Sequence, residues 1–119
     1  MMHRIGIAAA AAIFMAGCAS TPPPTEQMAV SRAAVSNASS AGGSEFAPLL
    51  LKSAMEKMDG AERAMTDKKY DQARQLAEQA QIDAQLVEAT ARSAKAQKAA
   101  DALKEDARIL RQEIDRKTE

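Results

Sequence analysis

The chain has 119 residues, with 16 Lys and Arg against 16 Asp and Glu, one histidine, one cysteine and three aromatic side chains. That length allows one small domain. The charge is balanced and no basic patch stands out, so nothing here predicts nucleic acid, and a single cysteine excludes an internal disulfide.

The N-terminus carries a short positive head, His3 and Arg4, then the apolar run Ile5–Phe14 and the small residues Ala16 and Gly17 before Cys18. This order of charge, apolar stretch and small residues is the layout of a secretory signal peptide over residues 1–17. The apolar run is too short for a membrane-spanning helix, which needs about 20 residues. Pro22, Pro23 and Pro24 stop any helix from continuing. Met15-Ala16-Gly17-Cys18 resembles a bacterial lipobox, with Met15 where Leu or Val is usual. The resemblance implies cleavage before Cys18, diacylglycerol on its sulfur and an acylated new N-terminus. An exported chain with an unmodified exposed thiol would carry a reactive liability, which acylation removes. Ala19 and Ser20 place no acidic residue after the cysteine. By likeness to known lipoproteins this implies an outer-membrane, periplasmic location and membrane attachment through the lipid alone.

Residues 18–27 read as the lipidated cysteine and a proline-rich tether, extended over its three prolines. The helical domain follows over residues 28–119. A first helix is expected at about 28–41, with Val30, Ala34, Ala38 and Ala41 on one face. Its serines and Asn37 lower the propensity, and Gly42-Gly43 ends it. A second helix is expected at about 46–66, with Pro48 in its first turn. Ala47, Leu51, Ala54, Met58, Ala61 and Met65 alternate spacings of four and three, a heptad seam. Asp67–Tyr70 forms a short turn with Asp71 as the following cap, so the flanking helices are antiparallel neighbours.

Residues 71–117 contain neither Gly nor Pro and read as one helix about 70 Å long. Ala73, Ala77, Ala80, Ala84, Val87, Ala91 and Ala94 repeat the four-three seam and match the second helix in phase. The pattern then jumps to Ala96, Ala100, Leu103, Ala107, Leu110 and Ile114, which reads as a slip that turns the apolar face toward a different partner. The fold class is all-α: an alanine-rich, coiled-coil-like antiparallel hairpin with a long C-terminal helix and a short preceding helix. Alanine contributes under about 1 kcal/mol per buried methyl, so the core is thin.

The segments Glu45-Phe46-Ala47-Pro48, Asp67-Lys68-Lys69-Tyr70-Asp71-Gln72-Ala73 and Leu76-Ala77-Glu78-Gln79-Ala80 resemble the family called domain of unknown function 4398. The likeness runs over roughly residues 28–100. It implies an envelope lipoprotein built on a helical hairpin. Leu50 stands where a Glu is common in that family, and Lys68-Lys69 where Gly-Asp is common.

Beyond Cys18 there is no His or Cys for a metal site of the usual type, no nucleophile–base pair and no glycine-rich phosphate loop. No cofactor is expected. Glu105, Asp106, Glu113 and Asp115 read as solvated surface; Asp83 reads as a carboxylate at the seam edge, in water, with burial beside Ala80 and Ala84 as the alternative. The expectation is a non-catalytic, outer-membrane-anchored adaptor module that engages another envelope protein. The alternative is a self-associating spacer between outer membrane and peptidoglycan. Direct attachment to peptidoglycan is unsupported, because the chain ends Lys117-Thr118-Glu119 rather than on lysine. The second helix covers the third only to Ala91–Ala94, so residues 96–119 overshoot the hairpin by close to 40 Å. Leu103, Leu110 and Ile114 are the expected contact residues.

Overall fold

The computed structural model describes residues 20–118. The expected signal segment and the expected lipidation site Cys18 lie outside the described residues. Every described element is a helix: α1 (Thr25–Ser40), α2 (Gly43–Phe46), α3 (Pro48–Thr66) and α4 (Tyr70–Thr118). α1 runs parallel to the first half of α4, and α3 returns antiparallel to both. Thr21 Oγ1 donates to Asp71 Oδ2 at 3.3 Å at one end, and Lys98 Nζ donates to Glu45 Oε1 at 2.7 Å at the other.

α1 begins three residues earlier than its apolar pattern indicates. Pro24 is its N-cap, and the Met28 amide donates to the Pro24 carbonyl at 3.0 Å. The face that packs is also different. Met28, Ser31 and Ala38 are buried with Val35 beside them, whereas Val30 is half exposed. The spacing 28, 31, 35, 38 is a heptad seam in which a serine takes an inner position. Ser31 is no larger than the gap requires, and its Oγ accepts from Gln27 Nε2 at 3.0 Å. Gln27 Nε2 also donates to Gln81 Oε1 at 2.8 Å, which ties α1 to α4.

Gly42 and Gly43 make the first corner for two different reasons. Gly42 has φ 101°, a left-handed conformation that closes α1. A Cβ on Gly43 would lie 2.5 Å from Val87 Cγ1 and 2.7 Å from the Ala38 carbonyl oxygen. Where one continuous helix is expected from about residue 46, the chain instead forms the single turn α2 over Gly43–Phe46, a break at Ala47, and then α3 with Pro48 at its start. α2 folds over α4 and extends its cover to Lys98, about one turn beyond Ala94. The Lys98 ammonium sits 4.7 Å from the centre of the Phe46 ring.

The second corner is a Schellman turn. The Lys68 amide donates to Met65 O at 3.1 Å and the Lys69 amide to Ala64 O at 2.8 Å. Lys68 has φ 59° and takes the left-handed position that glycine fills at lowest cost. The Ala73 amide donates to Lys69 O at 2.9 Å, so Lys69 rather than Asp71 stands at the cap and the helix begins at Tyr70. Asp71 lies inside the first turn, where its charge suits the helix dipole.

The core follows both seams of the hairpin. Leu51, Ala54, Met58 and Ala61 on α3 face Ala73, Ala77, Ala80, Ala84, Val87 and Ala91 on α4, all buried. One cluster joins Ala38, Ala47, Leu51, Ala54, Ala84 and Val87, and the other joins Met28, Met58, Ala61, Ala77 and Ala80. Val87 is the largest apolar side chain that is fully enclosed, so the interior is thin and rests on close backbone approach.

Candidate interaction surface

α4 is an unbroken helix of 49 residues. Its first half packs against α1, α2 and α3. Residues 99–118, about 30 Å of helix, pass beyond every other element and are exposed throughout. Local pairs stiffen this arm: Lys104 with Asp101, Arg108 with Glu105 and Arg116 with Glu113. The Arg108 guanidinium holds the Glu105 carboxyl below its ordinary range, and Glu105 in turn raises Arg108.

Leu103, Leu110 and Ile114 all lie on the arm and on one face, 69%, 62% and 61% exposed. The structure also shows where their stripe starts, which changes the meaning of the apparent slip. Ile82 and Leu86 are 64% and 51% exposed on the same face. From them the four-three spacing runs without interruption through Ala89, Ser93, Ala96, Ala100, Leu103, Ala107, Leu110 and Ile114, all exposed. The helix therefore has no slip. It carries two seams that overlap between residues 82 and 94: one buried in the hairpin, the other about 160° away and uncovered. Ile82 and Leu86 were missed because they alternate with the stronger Ala80, Ala84 and Val87 pattern. The signal that could have found them is continuity of the later seam backward through Ala89 and Ser93. Val30, Leu49 and Met55, also exposed, lie singly on α1 and α3.

A second feature sits at the α3–α4 edge. Asp83 Oδ2 accepts from Lys57 Nζ at 2.5 Å and from Ser53 Oγ at 2.9 Å. The Lys57 hydrogen bond, with help from Ser53 and from the lysine charge, outweighs desolvation and lowers the Asp83 pKa. Asp83 is thus not a solvated carboxylate. It is mostly covered, and it pins the two helices together. Ion pairs between α1 and α3, Arg32 with Glu62 at 2.7 Å, and within α3, Lys52 with Glu56 at 3.7 Å, stay exposed.

Among the described residues no cluster of His, Cys, Asp and Glu could hold a metal ion, and no helix is long and apolar enough to cross a membrane. What the geometry does provide is a rigid, small-cored helical body with one long apolar stripe on the outside of its longest helix.

Such a body with a projecting arm defines an all-helical hairpin module. The chain belongs to the family described as Domain of unknown function (DUF4398), whose model matches residues 26–103. That span takes in the whole packed body and the base of the arm. Searches of curated proteins and of solved structures returned no significant match.

Proposed function

We propose that the protein is a non-catalytic interaction module of the cell envelope, tethered to the outer membrane through a lipid on Cys18 and facing the periplasm. The hairpin is the scaffold. The outer stripe of α4 is the contact surface, through which the module engages another envelope protein. The observation that carries this reading is the exposed four-three stripe from Ile82 to Ile114, since contiguous apolar surface rimmed by charge marks an interaction site. The lipobox-like run at Met15–Cys18 supports the tether. The chain enters the body beside Asp71, so the arm points away from the tether and toward whatever lies deeper in the periplasm.

Crosslinking in intact cells tests both parts. Adducts with one or two foreign envelope proteins are expected for the wild type. Cys18→Ala should abolish mature-mass protein in the outer-membrane fraction and remove the adducts. A Cys18→Ala protein that fractionates and matures normally would defeat the tether. A wild type whose adducts survive loss of the arm would defeat the contact surface.

A further inference from the structure

The uncovered stripe has a register, and the register identifies an occupant. Reading Leu103 and Leu110 as d positions puts Ile82, Ala89 and Ala96 at d, and Leu86, Ser93, Ala100, Ala107 and Ile114 at a. This is nearly five heptads, about 50 Å of helix. At the arm's end Leu110 at d and Ile114 at a form the combination that favours parallel two-stranded coiled coils, whereas Ile82 at d with Leu86 at a is the reverse order, so the choice of two strands rests on the arm and its flanking charges.

The flanking charges agree. In the arm the e positions are Lys104 and Arg111, and the g positions are Asp106 and Glu113. In a parallel pair, g of one helix meets e of the next heptad on the other. Asp106 then faces Arg111 of the second copy, twice by symmetry. An antiparallel pairing of the arms would set g against g and e against e, Asp106 near Glu113 and Lys104 near Arg111, which repel. Asp106 and Arg111 are also the two of these four that take part in no ion pair among the described residues, while Lys104 and Glu113 pair within the helix.

The body leaves room for this partner. Lys98 is held against Glu45 and Phe46, which fixes the side of α4 that the body occupies. At 100° per residue, Ala96 to Ile114 lie between about 120° and 180° from Lys98 around the helix. Two copies can thus bring their α4 helices together back to back, with both bodies on the outside.

We infer that the Ile82–Ile114 stripe takes a second copy of this chain, as a parallel two-stranded coiled coil locked by reciprocal Asp106–Arg111 pairs. The inference rests on the interaction-module reading and changes the stripe's occupant: the stripe is closed within the pair, and the outer surface of the paired arms meets the foreign partner. Anchoring both copies in one membrane by their N-termini gives them the parallel orientation and raises their effective concentration.

Cysteine scanning of the full chain in cells tests it, since Cys18 is the only native cysteine. Leu103→Cys and Ile114→Cys, each alone, should give disulfide-linked dimers on oxidation of membranes, because identical core positions face each other only in a parallel pair. Gln112→Cys, at an outer f position, should give at least fivefold less. Arg111→Asp in the Leu103→Cys background should cut the dimer several-fold, and adding Asp106→Arg should restore it. Monomers at both core positions would overturn the proposal. So would a disulfide from Leu103→Cys only when mixed with Ser93→Cys, the signature of an antiparallel pair. Foreign adducts in place of dimers would overturn the second copy as occupant while leaving the interaction module standing. A dimer from the parent without added cysteine would overturn acylation of Cys18, and with it the shared anchoring on which the pairing rests.

Discussion

Adding one methyl group at Gly43 should damage this protein about as much as deleting methyl groups from its core. The new Cβ would stand 2.5 Å from Val87 Cγ1 and 2.7 Å from the Ala38 carbonyl oxygen. Carbon atoms in ordinary contact sit about 3.5–4.0 Å apart, so Val87 must retreat by roughly 1 Å or the α1 corner must open. Val87 is fully buried, and a β-branched side chain in a helix has essentially one good rotamer. Leaving it costs about 0.5–1.5 kcal/mol, and moving backbone in a packed core about 1–3 kcal/mol. The helix-propensity gain of Ala over Gly returns at most about 1 kcal/mol. The net expectation for Gly43→Ala is a loss of about 2–3 kcal/mol, or a melting temperature lower by roughly 10–20 °C for a domain of this size. Thermal and urea unfolding of the purified protein, followed by helical circular dichroism, measures this. Val87→Ala removes the clashing methyl at its own cost of about 1–3 kcal/mol. Combined with Gly43→Ala it should cost at least about 1 kcal/mol less than the sum of the two single losses. A Gly43→Ala protein within about 0.5 kcal/mol of wild type, or strict additivity in the double variant, would refute the close approach of α2 to α4.

Three further substitutions probe other parts of the body. Lys68→Gly relieves a left-handed φ of 59° in the Schellman turn and should stabilise by about 0.5–1 kcal/mol in the same unfolding assay. Ala80→Glu puts a charge into a fully buried contact with no space or partner and should cost several kcal/mol, on the order of the whole stability of so thin a core; Gln79→Glu, on the exposed face, should be near neutral. Asp83→Asn should cost about 1–2 kcal/mol at neutral pH by breaking a charge-assisted bond to Lys57. The folded pKa of Asp83 lies below its ordinary 3.8, so the wild type holds this contribution above about pH 4 and loses it as pH falls through the folded value. The two proteins should therefore converge in stability toward pH 2, and a gap that persists there would assign the effect to something other than the carboxylate charge.

Which parts of this architecture the sequence discloses depends on whether one residue's pattern or two partners decide the outcome. The α3 and α4 seams are visible because alanine at four-three spacing has no competing explanation in a stretch without Gly or Pro. The helices are antiparallel because the turn is short. The face of α1 was hidden because Ser31 behaves sterically like alanine but counts as polar, and because Met28, rather than Val30, reaches the groove between α3 and α4. The break at Ala47 and the fold-back of α2 depend on the fit of Gly43 to Val87, two residues 44 apart in the chain. Asp83 looked solvated because Lys57 and Ser53 come to it from another helix. The outer stripe of α4 is half visible in the sequence: Leu103, Leu110 and Ile114 share the arm with only one other large apolar side chain, the half-exposed Ile109 off the stripe, while Ile82 and Leu86 share their turns with the buried seam and are masked by it. A helix with apolar residues on two opposite faces is indistinguishable, along one dimension, from a helix whose single face shifts phase.

The most direct test of the account separates the body from the arm. Ending the chain after Lys98 keeps the Glu45 and Phe46 contacts and removes the projecting helix with Leu103, Leu110 and Ile114. Sedimentation velocity alongside circular dichroism compares this truncation with the full protein. The account predicts unchanged unfolding of the hairpin, and loss of the larger species that the full protein forms. A truncated protein that assembles like the full one would place the contact on the body and contradict the assignment of the arm.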